Sequence, residues 1–536
     1  MATSQLPNHG GSNHGLPDHE DTFSSTDATS LSEKEQISST NRPDPDVERG
    51  IPIIDTTEDA DEKSPPLTVA DKDPNIVDWD GPTDPEKALN WTEKKKWANI
   101  AVISSVTFLT PLASSMVAPA VPLIMDEFHS TDSTIASFIV SIYVLGYAVG
   151  PLFLAPLSEV YGRLPVYHVC NFMFVIWSVG CALAPNIGAL LAFRLLAGIA
   201  GSCPLTIGGG SIADLIIQEK RGIAMALFAL GPLLGPVVGP VAGGYLGEGA
   251  GWRWVFWLIT IAGGAALIFS LIFMRETYEP VLLRRRTKRL QKETGNLALR
   301  SKLDKGISMR QYFWLAIIRP SKMLIFSPIV FVLSLYLAII YGYLYLLFTT
   351  LTQVFEDKYG FSQGAVGLSY LGIGIGSVFG LIIFGALSDK TVKRMSAKGG
   401  MKPEYRLPPL IPGSAVIPIG LFWYGWSAEA GVHWIMPIIG TAFVGLGMLA
   451  TFMPIQTYLV DAFHLHAASA LAANSVMRSL MGAFLPLAGP QMYKTLGLGW
   501  GNSLLAFIAL AMAPVSWIFF RYGETIRTHP RFQVNF

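Results

Sequence analysis

Two arginines stand where a chain this apolar should not tolerate charge. Arg194 falls inside ALLAFRLLAGIAG and Arg478 inside ALAANSVMRSLMGAF. An ionised side chain at the centre of a bilayer costs several kcal/mol, so it turns toward a bundle interior or toward water. Asn474 lies one helical turn before Arg478 and shares its face. These three residues are the first candidates for a transport cavity. A plainer reading stands beside that one: both arginines snorkel, or bond backbone carbonyls for structural reasons.

A second group sits at the edges of the apolar runs. Glu159 and Arg163 are four residues apart and share a face if the turn between them is helical. Asp214 follows the fourth run, Asp389 the eighth and Asp461 the tenth. These five read either as charge clusters or as simple anchors at the membrane surface. No Asp or Glu lies well inside any run, although a titrating carboxylate is a usual proton carrier. A proton-carrying role, if the chain has one, would then fall to Asp214, Glu159, His168 or water held by an arginine. A cavity with two arginines and no carboxylate disfavours polycations and favours neutral or anionic organic molecules with apolar parts. Tyr143, Tyr147, Tyr336, Tyr341, Tyr343 and Tyr345 offer stacking surface, though each reads as well as packing. Tyr143 and Tyr341, with Gln456, are the expected cavity lining.

Other chemistries lack their residues. The chain has no HExxH, no GxSxG, no clustered Cys and His, and no GxxxxGK[ST] phosphate loop. An enzyme is not expected, nor is any cofactor. His464 and His466 form an isolated HxH without the further ligands a metal needs, so no metal is expected. Cys170, Cys181 and Cys203 all fall in apolar runs and read as buried thiols, not as a disulfide framework.

The elements that must position these residues are membrane spans. The chain has 536 residues, 51% hydrophobic and 15% charged, with mean hydropathy +0.41. Soluble domains carry about 25% charged residues. Apolar runs near 20 residues each predict twelve transmembrane helices in two six-helix bundles, an all-α membrane protein. The expected spans lie near 97–119, 135–155, 166–184, 189–212, 223–246 and 253–274, then 325–348, 366–386, 409–427, 434–457, 468–490 and 501–520. Residues 1–96 read as a disordered cytosolic tail, 97–274 and 325–520 as the two bundles, 275–324 as a basic cytosolic loop and 521–536 as a cytosolic tail. No cleavable signal peptide is expected before the first span.

The 275–324 segment carries thirteen Lys/Arg against four Asp/Glu, including RRRTKR at 284–289. Basic loops stay inside, so both termini are expected in the cytosol. The basic run reads as a topological anchor, and no nucleic-acid partner is expected.

In the fifth span Gly231, Gly235, Gly239 and Gly243 recur every four residues, as do Pro232, Pro236 and Pro240. Such a helix is tolerated in a membrane, where neighbours re-satisfy freed carbonyls, and its small residues admit a close partner. It is either a bent span that moves or a static packing face. The pattern also belongs to an internal repeat. PLSEVYGR (156–163) matches ALSDKTVKR (386–394), and Asp214 matches Asp461. Gly235, Gly239 and Gly243 match Gly482, Pro486 and Gly489, and GWRW (251–254) matches GWGN (499–502). Paired halves of this kind build carriers with a substrate site between them.

With these motifs in order, the chain resembles the major facilitator superfamily, and within it the fungal twelve-span drug:proton antiporters, which include multidrug and polyamine exporters. VDWDGPTDPEKALNW (77–91), GPLFLAPLSEVYGR (150–163), RLLAGIAGS (194–202), the glycine–proline span and RETYEP (275–280) carry the resemblance, with Glu159 where an Asp is usual. The resemblance implies proton-coupled export of small organic molecules by alternating access. It implies that Glu159, Arg163 and Asp214 lock the outward-facing state, with Asp389 and Asp461 as a weaker counterpart. It also implies a proton-coupling role for Arg194, a gating role for the fifth span, a monomer and the plasma membrane. Alternatives on the same fold are an importer or uniporter of a small organic solute and a polyamine exporter.

Overall fold

The computed structural model describes residues 75–217, 220–304, 309–397, 400–463 and 467–529. Its first half holds α1 (Glu93–Ser115), α2 (Val121–Glu127), α3 (Ser133–Tyr161), α4 (Arg163–Ala182), α5 (Ile187–Leu215), α6 (Gly222–Ala250) and α7 (Trp252–Phe273). A connecting segment holds α8 (Glu279–Thr294) and α9 (Met309–Phe326). The second half holds α10 (Pro328–Tyr359), α11 (Gln363–Ser369), α12 (Leu371–Ser396), α13 (Leu410–Glu429), α14 (Ile435–Ala462), α15 (Ala467–Phe484) and α16 (Gly489–Thr528). The His464–His466 pair lies outside the described residues.

Eleven helical stretches among the described residues are long and apolar enough to cross a membrane, the last being Ala467–Thr528 with 62 residues. At 1.5 Å per residue, that stretch would run about 90 Å, far beyond one bilayer of about 30 Å. It holds two crossings. The helix loosens to a 3-10 turn at Leu485–Ala488, and the chain reverses at Gly497, whose φ of 74° suits glycine. The total is twelve, as the apolar runs predict.

The first and eighth spans are each broken near the same end. α1 stops at Ser115, and a 3-10 turn at Ala118–Ala120 leads into α2. Pro111 and Pro119 contribute by removing backbone donors. α11 and α12 meet at Tyr370.

The internal repeat is visible in packing. Gly231, Gly235, Gly239 and Gly243 are buried on α6, and a Cβ at each would strike α1: Phe108, Leu112, Ser115 and Met116 respectively. In the second half Gly482 faces Tyr341 of α10, and Gly489 faces Leu346 and Thr350. The fifth span thus lies on the first as the eleventh lies on the seventh. Despite Pro232, Pro236 and Pro240, α6 remains one helix.

Two expected boundaries shift. Residues 75–96 belong to a defined element, not to a tail: Ile76–Val77 (β1) pairs in parallel with Arg300–Ser301 (β2), and Lys302 pairs with Asp78 at 2.6 Å. Trp79 donates to Glu279 at 2.7 Å. Arg286 pairs with Asp80 and Asp84, and Arg289 with Glu86 at 2.7 Å. Two of the five basic residues in 284–289 are therefore engaged by the strap that precedes the first span, and the 275–324 segment is two helices and a strand more than a loop. The last helix also passes residue 520, held by Lys402–Glu524 at 2.7 Å and Arg527–Glu404 at 3.4 Å.

The strap, the α8 segment and residues 400–409 share one end of the bundle, termed the basic end below. The other end, the distal end, carries Glu127, Glu248 and Glu429.

Candidate functional site

The centre of the site is assembled by helices that approach backbone to backbone. A Cβ at Gly146 of α3 would collide with Gly198 of α5, and one at Gly198 with the Tyr143 carbonyl. This contact brings Tyr143 beneath Arg194, whose guanidinium carbon lies 5.3 Å from the Tyr143 ring and 5.8 Å from Phe256. Arg194 is 1% exposed. It donates to the carbonyls of Ser114 (3.2 Å) and Val140 (3.3 Å). Ser114 is in the last turn of α1, where carbonyls lack helical partners and carry the negative end of the dipole. That explains how a buried guanidinium persists without a carboxylate. Carbonyl bonding, one of the two readings open from sequence, is what the geometry shows for Arg194.

The same serine reaches the other half. Ser114 Oγ and the Tyr345 hydroxyl are 2.9 Å apart. Tyr345 packs on Tyr341 at 5.1 Å between centroids, and Arg478 lies 4.7 Å over the Tyr341 ring. A continuous path thus joins Arg194, Ser114, Tyr345, Tyr341 and Arg478 across the two halves. Tyr147 stacks edge-on against Tyr143 at 5.3 Å. Asn474, one turn from Arg478, is fully buried. Of the expected lining, Tyr143 and Tyr341 are here. Gln456 is not: it lines a recess of about 260 Å³ with Arg406, Thr457, Val460, Asp461 and Leu471. Tyr336 and Tyr343 are buried packing residues, the latter donating to the Leu505 carbonyl at 2.9 Å.

At the basic end each half closes its own charge cluster. Arg163 Nε is 3.4 Å from Asp214, its NH1 is 2.6 Å from Ser158 Oγ, and its guanidinium covers the Tyr278 ring at 4.6 Å. The hub is Glu276 of RETYEP, 3% exposed, which accepts the backbone N–H of Arg163 (2.9 Å), Leu164 (3.2 Å), Thr277 (3.1 Å) and Tyr278 (3.0 Å). Gly162 makes room: its φ is 105°, and a Cβ there would meet the Glu276 carboxylate. Glu159 lies near this cluster. Burial first, and then its carboxylate, push the Tyr278 hydroxyl up to about 12. In the second half Arg406 bridges Asp461 (2.9 Å) and Asp389 (3.5 Å). Beside it buried Glu404 pairs with Arg527.

Hydrogen bonds that join the halves are found from the midplane to the distal end. Besides Ser114–Tyr345, Thr352 Oγ1 donates to the Ala118 carbonyl at 3.4 Å. Glu248 of α6 accepts from Gly364 N (2.7 Å) and Ser362 Oγ (3.1 Å) at the start of α11. Close backbone contact seals the seam: a Cβ at Gly367 would come within 2.6 Å of the Pro240 carbonyl, and one at Gly244 would strike Gln363. α6 therefore presents its glycine stripe to α1 and its Pro240 face to the other half.

Residues 103–486 match the family model of the Major Facilitator Superfamily. The chain belongs to that superfamily. Among its relatives, the MFS-type transporter penM of Penicillium rubens is 57% identical over 522 residues, covering 97% of this chain and 100% of the relative. The efflux pump radE of Floropilus chiversii is 50% identical over 468 residues, covering 87% of each. A solved structure with the same fold is the xylose transporter XylE from E. coli in a partially occluded inward-open conformation, with TM-score 0.60, 17% identity and coverage of 80% and 98%. As a major facilitator protein the chain is a multi-pass membrane transporter, not an enzyme. Glu276 and Arg406 at the basic end and Glu248 at the distal end are not among the residues singled out from sequence. RETYEP pointed toward Glu276, but as a motif, with no role attached.

Proposed function

We propose that this transporter exports small organic molecules, of the drug, toxin or secondary-metabolite kind, in exchange for protons by alternating access. The observation that carries this reading is the asymmetry of the seam between the halves. It is hydrogen-bonded and glycine-packed at the distal end, while the charge clusters at the basic end are closed within each half. This supports a state poised to receive cargo from the basic end, which is cytosolic under the positive-inside rule. Arg194, Arg478, Asn474, Tyr143 and Tyr341 bind or sense cargo and protons. Glu159, Arg163, Asp214, Asp389 and Asp461 form the latch that joins the halves in the opposite state. The latch must open in every cycle, and a solvated pair such as Arg406–Asp389, with Asp389 73% exposed, is worth only about 0–1 kcal/mol. The Gly231–Gly243 stripe with Pro232 and Pro240 lets α6 turn with α1 as one unit and close on α11. The protein works as a monomer in the plasma membrane.

A proton entering down 100 mV releases about 2.3 kcal/mol, and each pH unit adds about 1.36 kcal/mol. One proton per neutral solute therefore sustains a gradient of roughly several hundred-fold. The names given to relatives, among them an efflux pump, agree with this direction of transport. The test is efflux of fluorescent and toxic organic compounds from cells expressing the chain or Arg194→Ala, with and without a protonophore. Protonophore-sensitive efflux that the variant loses is expected. Movement down a gradient that ignores the protonophore would make the protein a uniporter.

A further inference from the structure

The two arginines of the site differ in what holds them. Arg194 gives one amino group to two carbonyls and lies over two rings, although its own buried Nε has no partner. Among the described residues, Arg478 makes no hydrogen bond and no ion pair, and its buried Nε has no partner. Its guanidinium lies over Tyr341 at 4.7 Å and Phe452 at 5.3 Å. One turn away, Asn474 is 0% exposed, and neither its Oδ1 nor its Nδ2 has a partner. Unsatisfied buried polar groups are costly, and an unpaired buried charge more so. Here a half-buried guanidinium with a buried, unpartnered Nε and a fully buried, unpartnered amide share one helical face.

We propose that Arg478 and Asn474 form an anion subsite that takes the acidic group of an organic cargo, a carboxylate or an ionised enol or phenol. Arginine offers only donors, so its counterpart must accept. The planar fork suits a delocalised oxyanion, with which hydrogen bonds are charge-assisted. The Asn474 amide adds a donor toward the anion and an acceptor for a neighbouring hydroxyl. Tyr341 and Phe452 receive the apolar part of the same molecule. The assignment deepens the efflux reading and rests on it for the direction of movement. With the basic end in the cytosol, an anion leaving and a proton entering both run with the membrane potential. A polyamine finds no carboxylate in this centre.

The test uses the purified full-length chain in lipid nanodiscs. Its affinity is measured for naphthalene-2-carboxylate, salicylate and fluorescein, each beside its methyl ester, with rhodamine 6G, chloride and phosphate as further arms. The acids should bind at least about 10-fold tighter than their esters, the loss expected when a charge-assisted hydrogen bond is removed. Arg478→Gln should abolish that difference and Arg478→Lys should keep part of it, so the conclusion does not hang on one variant folding. Asn474→Leu should weaken the acids. Esters or rhodamine 6G binding as tightly as every acid overturns the subsite, as does an acid preference that survives Arg478→Gln. An equal response to chloride or phosphate alone makes it an inorganic-anion site and overturns the cargo assignment. Protonophore-sensitive export of a neutral or cationic dye would leave the efflux reading standing while the anion subsite falls.

Discussion

Ser114 and Tyr345 touch across the boundary between two six-helix halves, Oγ to hydroxyl at 2.9 Å. Ser114 also offers its carbonyl to Arg194, so one residue couples the buried arginine of the first half to the aromatic cluster of the second. Any motion that parts the halves at this level must break that bond and alter the surroundings of Arg194.

Tyr345→Phe removes the cross-half bond and keeps the ring. A neutral hydrogen bond is worth about 1 kcal/mol net, roughly a fivefold change in a two-state equilibrium. The variant should shift toward the state open at the distal end. Labelling of a single cysteine placed at Gln363 should become about fivefold faster, and an unchanged rate would remove the bond from the gating equilibrium.

Gly239→Val should leave the chain inserted but inactive, because the added side chain collides with Ser115 and Leu112 on α1. Gly264→Ala on α7 is the control: nothing lies within 4 Å of its Cβ. Replacing glycine at such a helical site should be neutral or stabilising by about 0.4–1 kcal/mol. Flux and surface expression measured together separate the two outcomes.

Glu276→Ala should destabilise far more than Asp389→Ala. Glu276 is a buried carboxylate taking four backbone N–H groups, whereas the Asp389 side chain is 73% exposed. Stripping the partner from buried donors costs about 1–3 kcal/mol per group. Melting of the purified variants in detergent should show a drop of many degrees for Glu276→Ala and almost none for Asp389→Ala.

The strap at residues 75–91 should open in acid. Burial raises Asp84, but the N–H groups of Asp80 and Glu86 and the Arg286 guanidinium outweigh it and hold the carboxyl below its usual range. A depressed carboxyl contributes stability that is fully present above its unfolded pKa, about 3.9, and lost as pH falls through the folded value. Trypsin should therefore spare Lys87 at pH 7 in the parent chain and cut there in Asp84→Asn. Amide exchange in the strap should be slow at pH 5 and rise below about pH 4.

What sequence made legible follows from range. The spans, the repeat and Arg194 depend on local composition and on spacing within one helix, and they stand out in the string. Tyr143 and Tyr341 belong to a set of six tyrosines on two runs, and the string does not say which of the six lie beside Arg194 and Arg478. Arg406 was not, because its acids lie 17 and 55 residues away. Glu276 bonds the backbone of Arg163, 113 residues earlier, and a backbone donor leaves no mark in a sequence. That Gln456 lies in the recess with Arg406 and Asp461 is hidden for a related reason: a helix position fixes a face, but not the depth at which neighbours close over it. The strap reads as tail because its charges look solvated until α8 supplies their partners.

The central claim is exchange of cargo for protons, and the most direct measurement is proton movement itself. Purified protein reconstituted in liposomes with an internal pH dye would be given an organic cargo gradient and no initial pH gradient. Cargo leaving should drive protons in, with acidification that a protonophore collapses and Arg194→Ala abolishes. Cargo flux at the same rate with no proton movement, once the membrane potential is clamped, would contradict the account.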